Sequence, residues 1–519
     1  MPESVYRRRW WTLGVLCLSL LVIGLDNTIL NVALPTLVRD LHASASQLQW
    51  MVDSYALVFA GMLLTAGALG DRFGRRLILA AGMLIFGAGS AFSAFAGSAG
   101  SLIAWRAVMG LGAALIMPST LSIVTNIFPP KERGRAIGIW AGVSGLGIAI
   151  GPVLGGWLLQ HFWWGSVFFV NVPVTVAAIV AGVMLIPESR DPAATPLDPA
   201  GVVLSIAGLS ALVYGLIEAP SHGWTSGTIL GSLGAAAVLL TTFVLVERRQ
   251  RTPMMDVRLF ENARFTAASL TTALVFFALF GALFFLSQYL QFVLGYDTLG
   301  MGVRILPVSV ALIVSAPLSA RLTERFGTKL VVGAGMLFVT TGLALLSTAS
   351  TQSGYGLVAA SLVLLGIGMG NVMAPATEAI MGALPPARAG AGSAVASTVR
   401  QVGGVLGVAV LGSLLSSAYT TRMGSTLSGV PTAVAKAAGD SVGAAAQIAA
   451  RVGGAPAREL VASSHSAFIH GMDVTVLAAA AVALLGALVA LVYLPARAAT
   501  PEPTVAVKPD EPAPHVPVA

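Results

Sequence analysis

GALGDRFGRRL, running from Gly67 to Leu77, returns as ARLTERFGTKL from Ala320 to Leu330. Leu69 answers to Leu322, Asp71 to Glu324, Arg72 to Arg325, Phe73 to Phe326 and Gly74 to Gly327. A second pair follows at nearly the same separation. IFPPKERGRA, Ile127 to Ala136, resembles ALPPARAGAG, Ala383 to Gly392, and MPST at Met117 resembles APAT at Ala374. Self-similarity at a fixed spacing marks a duplicated architecture. The surroundings of these loops say what is duplicated: the 519 residues are 56% apolar and 10% charged, with a mean hydropathy of +0.86, outside the usage of soluble domains.

Apolar runs long enough to cross a hydrocarbon core of ~30 Å recur from end to end and place about fourteen spans. They lie near 11–37, 46–69, 77–97, 101–127, 136–160, 166–186, 200–219, 226–246, 265–294, 300–321, 330–349, 355–380, 390–417 and 471–494. In each half an acid–Arg–Phe–Gly loop follows the second span and a Pro-Pro loop follows the fourth, so the halves run parallel. The expected fold is therefore an all-α integral membrane protein in three parts: a six-helix bundle at 1–190, two inserted helices at 191–252 and a second six-helix bundle at 253–496. Parallel repeats about an axis along the membrane normal are a transporter architecture, with a site at the midplane between halves. A long external connection at 418–470, rich in Ala and Gly, interrupts the second bundle. Within it SVGAAAQIAARVG reads as a short helix, and the stretch is open to two readings, an outer lid or a plain connector. The Pro-rich tail 497–519 reads as disordered.

The net charge of +7 does not point to nucleic acid, because the basic residues sort by side. Arg7, Arg8, Arg9, Arg72, Arg75, Arg76, Arg248, Arg249 and Arg325 fall on one side of the spans, against Arg39, Arg304 and Arg422 among the few on the other. That bias is the positive-inside rule and makes both termini cytoplasmic. The run after RRRWW is too long for a cleaved signal and stays as the first span. Cys17 is the only cysteine and the six histidines are scattered, which excludes an intramolecular disulfide and gives no metal-ligand spacing. No cofactor and no enzymatic activity are expected. The partner that composition implies is the lipid bilayer, and the chain is expected to act as a monomer.

Four features carry chemistry. In the loop from Gly67 to Arg76, Gly67, Gly70 and Gly74 permit a tight turn, Asp71 is placed to cap a helix N-terminus, and Arg72, Arg75 and Arg76 can neutralise carboxylates or anionic lipid. Gly147, Gly151 and Gly155 recur at intervals of four, with Pro152 and Gly156 beside them, which strips one helix face for close packing. Arg106 stands alone among apolar residues; an arginine in mid-membrane costs roughly 2.5–3.5 kcal/mol on insertion scales, so it should face inward and find a carboxylate or a backbone carbonyl. Asp26, Asn27 and Asn31 share an arc of the first span that should face a central cavity, with Asp53 nearer the outer mouth. Glu378 lies late in the twelfth span toward the cytoplasm, and Glu218 is interfacial.

On these residues the chain resembles the major facilitator superfamily. The decapeptide matches its signature loop Gly-x-Leu-(Gly/Ala)-Asp-Arg-x-Gly-Arg-Arg at every fixed position, and the glycines of the fifth span resemble the Gly-x-x-x-Gly-Pro-x-x-Gly-Gly motif of its antiporters. LDNTILNVALPTL at Leu25, LQWMVDSYALVFAG at Leu48, FFVNVP at Phe168, MMDVRLF at Met254 and SQYLQ at Ser287 resemble the fourteen-span drug:proton antiporter branch. The resemblance implies a gating role for the loop, proton coupling for Asp26, Asp53, Arg106 and Glu378, and export of lipophilic drugs or antibiotics across the cytoplasmic membrane. Candidate cavity residues are Asn27, Asn31, Tyr55, Gln288, Tyr289, Gln291, Asn371 and Arg400, each of which is equally a packing residue on sequence alone. The chain departs from its relatives in the tenth and thirteenth spans, where VSVALIVSAP and SAVASTVRQVGG carry no acid and Arg400 stands instead. Neutral or anionic substrates, a narrow metabolite transporter and a non-transporting sensor therefore stay open as alternatives.

Overall fold

The computed structural model describes residues 3–190, 198–250, 253, 255–382, 389–426, 435 and 438–494. The helices in chain order are α1 (Glu3–Leu41), α2 (Ala45–Phe73), α3 (Arg75–Ala94), α4 (Ala99–Ile127), α5 (Pro130–His161), a one-turn α6 (Ser166–Phe169), α7 (Asn171–Leu185), α8 (Pro199–His222), α9 (Gly227–Arg249) and α10 (Ala263–Gln288). They continue with α11 (Thr298–Phe326), α12 (Thr328–Leu346), α13 (Tyr355–Gly382), α14 (Ala389–Thr426), α15 (Val442–Val452) and α16 (Gly454–Tyr493). Thirteen stretches are long and apolar enough to span a bilayer, with Ser166–Leu185 counted as one. The 32-residue α5 makes the fourteenth. Where the solvent is lipid, every backbone polar group must be satisfied within its own segment, and continuous helices do that.

The repeated glycines do equivalent work. Gly74 and Gly327 each join two successive helices from a positive φ, +117° and +83°, which a side chain would strain. Neighbouring helix starts are capped by short polar side chains: Ser44 and Gln47 form a reciprocal capping box on α2, Asn262 caps α10 and Asp297 caps α11. Asp71 does not cap a helix. It accepts from both Nε and Nη2 of Arg75, at 2.9 and 2.8 Å, because the tight turn at Gly74 folds the start of α3 back beside the end of α2.

Buried apolar side chains sort into two main cores. One is built almost wholly from α1–α7 and the other from α10–α16; Val32 is lent to the second, Phe284 and Val408 to the first. Gln160 Nε2 donates to Asp297 (3.3 Å), Thr298 Oγ1 to the Gly156 carbonyl (3.1 Å) and Gln291 Nε2 to the Val32 carbonyl (3.0 Å). These three bonds join the bundles, and all sit in the half of the molecule away from the termini. At the opposite end, Arg9 pairs with Glu132 (2.8 Å), Arg75 with Asp71 and Arg76 with Glu188 (3.5 Å) inside the first bundle, and Arg248 of α9 pairs with Glu261 just before α10. The inserted helix α8 leans on both bundles, since Trp50 Nε1 donates to Glu218 (3.1 Å), Ser413 donates to the Leu216 carbonyl, and Val213 and Ile217 pack with Leu57, Val405 and Ala409.

The stretch 418–470 differs from a loop. α14 continues to Thr426 and α16 begins at Gly454, well before the apolar run near 471, so both helices project beyond the hydrocarbon zone with α15 between them. Hydropathy marks only the lipid-facing part of a helix, and these extensions face water and one another. The tail 497–519 lies outside the described residues.

The small-residue face of α5 lies on α1 as its spacing predicts. A Cβ on Gly147 would meet Gly24 Cα at 2.9 Å, one on Gly151 would meet the Leu25 carbonyl at 3.1 Å, and one on Gly155 would meet Ile29 Cγ1 at 2.5 Å. Gly156 faces the other bundle, against Leu299 Cα at 2.7 Å. Overpacking of this kind costs about 1–3 kcal/mol. Gly147→Leu is therefore expected to lower the melting temperature of the detergent-solubilised protein by several degrees, measured by size-exclusion after heating, whereas Gly138→Leu, where a side chain meets open space, leaves it unchanged.

Candidate functional site

The first polar residue of the α1 arc, Asp26, is fully buried and faces Arg106 of α4 across 80 residues of sequence. Arg106 Nη1 donates to Asp26 Oδ2 at 2.5 Å, Arg106 Nε donates to the Met51 carbonyl at 3.0 Å, and the guanidinium carbon stands 4.3 Å from the Tyr55 ring centroid. The arginine thus finds the carboxylate, the carbonyl and a π face, on α1 and α2. Small residues make this possible: a Cβ on Gly110, one turn beyond Arg106, would meet the Tyr55 backbone carbon at 3.1 Å.

Asp53 is different. It is fully buried on α2, and neither carboxylate oxygen has a hydrogen-bond partner. It opens on a cavity between the bundles, lined from the first by Asn27, Asn31, Asp53, Tyr55 and Arg106. From the second come Phe280, Gln401 and Val405. The Tyr55 hydroxyl is likewise buried with no hydrogen-bond partner among the described residues. An unpaired polar atom costs most where water cannot reach it, so these groups mark the place in the molecule where a ligand or a proton gains most by arriving.

The other candidates spread out. Tyr289 donates to the Ser350 carbonyl (2.8 Å), Gln291 bonds Val32, and Asn371 donates to its own helix at Ile367 (2.9 Å). Arg400 donates to Ser397 (2.8 Å), while its neighbour Gln401 reaches the cavity. Gln288 lines a separate space farther from the termini. Glu378 is exposed on α13 and does not join the Asp26–Arg106 group. Asn171, in the FFVNVP stretch, is a buried residue that sequence reasoning did not single out; it donates to Ser90 (3.0 Å), and only its amide within an apolar helix hinted at it.

The chain matches the family model described as Major Facilitator Superfamily over residues 16–408. It belongs to the major facilitator superfamily. Among its relatives, the Tetracenomycin C resistance and export protein of Streptomyces glaucescens is 39% identical over 505 residues, covering 94% of this chain and 93% of that one. The multidrug efflux pump LfrA of Mycolicibacterium smegmatis is 37% identical over 483 residues, covering 93% and 95%. Among solved structures, a bacterial homolog of the human lysosomal transporter Spinster shares the fold with a TM-score of 0.65 at 20% identity, covering 93% and 98%. As a member of the superfamily's drug-efflux branch, this facilitator is a multi-pass membrane transporter rather than an enzyme.

Removing one partner of a buried ion pair strands the other and costs about 3–5 kcal/mol, whereas removing both costs far less. Asp26→Asn and Arg106→Gln are each expected to lower the melting temperature of the purified transporter, and the double variant to recover most of the loss. Additive losses would show that the two side chains do not act as a pair.

Proposed function

We propose that the protein exports lipophilic drugs or antibiotics across the cytoplasmic membrane in exchange for protons, by alternating access between the bundles at 1–190 and 253–496. The observation that carries this reading is Asp53, a buried carboxylate with no partner, opening on the cavity beside the Asp26–Arg106 pair. A lone carboxylate walled off from water is neutralised either by a proton or by the cationic part of a ligand. Competition between the two couples their movements. One proton moving down ~100 mV contributes ~2.3 kcal/mol, enough for a gradient of roughly 50-fold in a neutral substrate. Asp26 is already engaged by Arg106, so it is the second proton-handling group, and a proton arriving there displaces the guanidinium from its carboxylate. The names of the relatives, a tetracenomycin C exporter and a multidrug efflux pump, support a drug as cargo.

The arginine bias supports a cytoplasmic location for the end that carries both termini. The bundles then meet on the outer side and the state is inward-facing, with the signature loop held inside its own bundle by Arg75–Asp71 and Arg76–Glu188. Fluorescent protein fused to the C-terminus should therefore light up in living cells. An unlit cytoplasmic fusion, with an active periplasmic reporter in its place, would reverse the orientation.

In inverted vesicles given a proton gradient, ethidium should accumulate, and Asp53→Asn should cut the gradient-dependent part at least tenfold, with Asp26→Asn also lowering it. Unchanged accumulation in both variants would sink the coupling assignment. A resistance panel of cationic, neutral and anionic compounds then reads what the absence of acids in the tenth and thirteenth spans does to substrate charge.

A further inference from the structure

A second chamber lies beyond the central cavity, toward the end away from the termini, and the same three helices build it. Asp53 of α2, Phe280 of α10 and Val408 of α14 line the central cavity. Gln49, Phe284 and Gly412, each four residues farther toward that end, line the second. Four residues of helix rise about 6 Å. The two spaces are therefore stacked along one groove between the bundles.

The second chamber is roofed by the α15 segment. Asp440 accepts from the Ala45 amide at 3.1 Å, and Gln447 Nε2 donates to the Val38 carbonyl at 2.6 Å. Ser441 caps the helix, Val442 and Ala445 are buried beneath it, and Gly443 passes so close that a Cβ there would meet Val38 Cγ1 at 2.8 Å. A strap carried by the second bundle is thus fastened to α1 and α2 of the first.

The lining has a defined chemistry. Gln49 is 1% exposed and its Oε1 has no donor among the described residues, so the chamber wall holds a buried, unspent acceptor. Its position is fixed by Gly412, where a Cβ would meet Gln49 Cδ at 2.8 Å. Asp440, already engaged by the Ala45 amide, adds negative charge from the roof, and Phe284, Tyr419 and Phe468 supply aromatic walls. The Tyr419 hydroxyl is spent on the Ala438 carbonyl (3.1 Å), leaving its ring as what it presents. An acceptor, a carboxylate and rings together suit a flat cation that carries N–H donors, and suit an anion poorly.

We propose that this chamber, which in this state has room for about one or two waters, widens into a second ligand site for planar aromatic cations bearing N–H groups, occupied after the central cavity and before release past α15. Its place in that order rests on the export reading, whereas the site itself rests on the lining. Ethidium, a flat cation with two aryl amines, is the probe. In a Cys17→Ala, Ser416→Cys protein reconstituted in liposomes, ethidium should slow alkylation of the introduced thiol by N-ethylmaleimide at least fivefold. The slowing should persist with Asp53→Asn, fall below twofold with Gln49→Leu and strengthen with Gln49→Glu. The second Gln49 change keeps the test decisive where the first fails to fold. No slowing in the parent protein, loss of slowing with Asp53→Asn while Gln49 is intact, or indifference to Gln49→Glu would each overturn the proposal. Slowing without gradient-driven ethidium accumulation removes the export reading and leaves the chamber standing; accumulation without slowing does the reverse.

Discussion

A single guanidinium organises the first bundle. Arg106 ties α4 to α1 through Asp26 and to α2 through the Met51 carbonyl and the Tyr55 ring, all of these side chains buried. An arginine inside hydrocarbon has no cheap alternative to its partners, so the three helices are held in one register. Because α5 rests its glycine face on α1, that register reaches a fourth helix by backbone contact alone. The bundle therefore moves as a block, and the group left outside the arrangement is Asp53, one side chain away and unpaired.

The duplication is exact in plan and uneven in chemistry. Gly74 and Gly327 turn the chain at equivalent places in the two halves. Yet the buried charges near the cavity come from the first bundle, while the second contributes Phe280, Gln401 and Val405. The second bundle instead carries α14, α15 and α16, whose projections extend it at the end away from Glu3, the start of α1. The inserted helix α8 adds a further asymmetry by bridging α2 and α14 on one flank only.

Much of this was legible in the chain because lipid imposes strict demands on sequence. Fourteen apolar runs, two repeated loops and a glycine ladder at spacing four are local signals, and helices, turns and a closely packed face on α5 follow from them, though not that α1 is the helix packed there. The isolation of Arg106 announced that it needed a partner. Which partner was not legible, since Asp26 lies on another helix and only the packing angle of α1, α2 and α4 selects it over Asp53. Asp71 misled for the opposite reason: its nearest partner was four residues away, and a local pair outcompeted a cap. In the stretch 418–470 the short helix read from SVGAAAQIAARVG is α15, while the extensions of α14 and α16 beside it went unread because hydropathy does not report on helix length outside the bilayer.

One of those helices has a mechanical consequence. α16 is 40 residues long, about 60 Å at 1.5 Å per residue, roughly twice the thickness of the hydrocarbon it crosses. A rod of that length embedded over half its span is a lever. A tilt of about 10° within the membrane swings a point ~25 Å beyond it by roughly 4 Å, more than the length of a hydrogen bond. Small rotations of the second bundle are thus magnified at the far end of α16, where α15 is attached, and the bonds from Asp440 and Gln447 are the ones such leverage strains first.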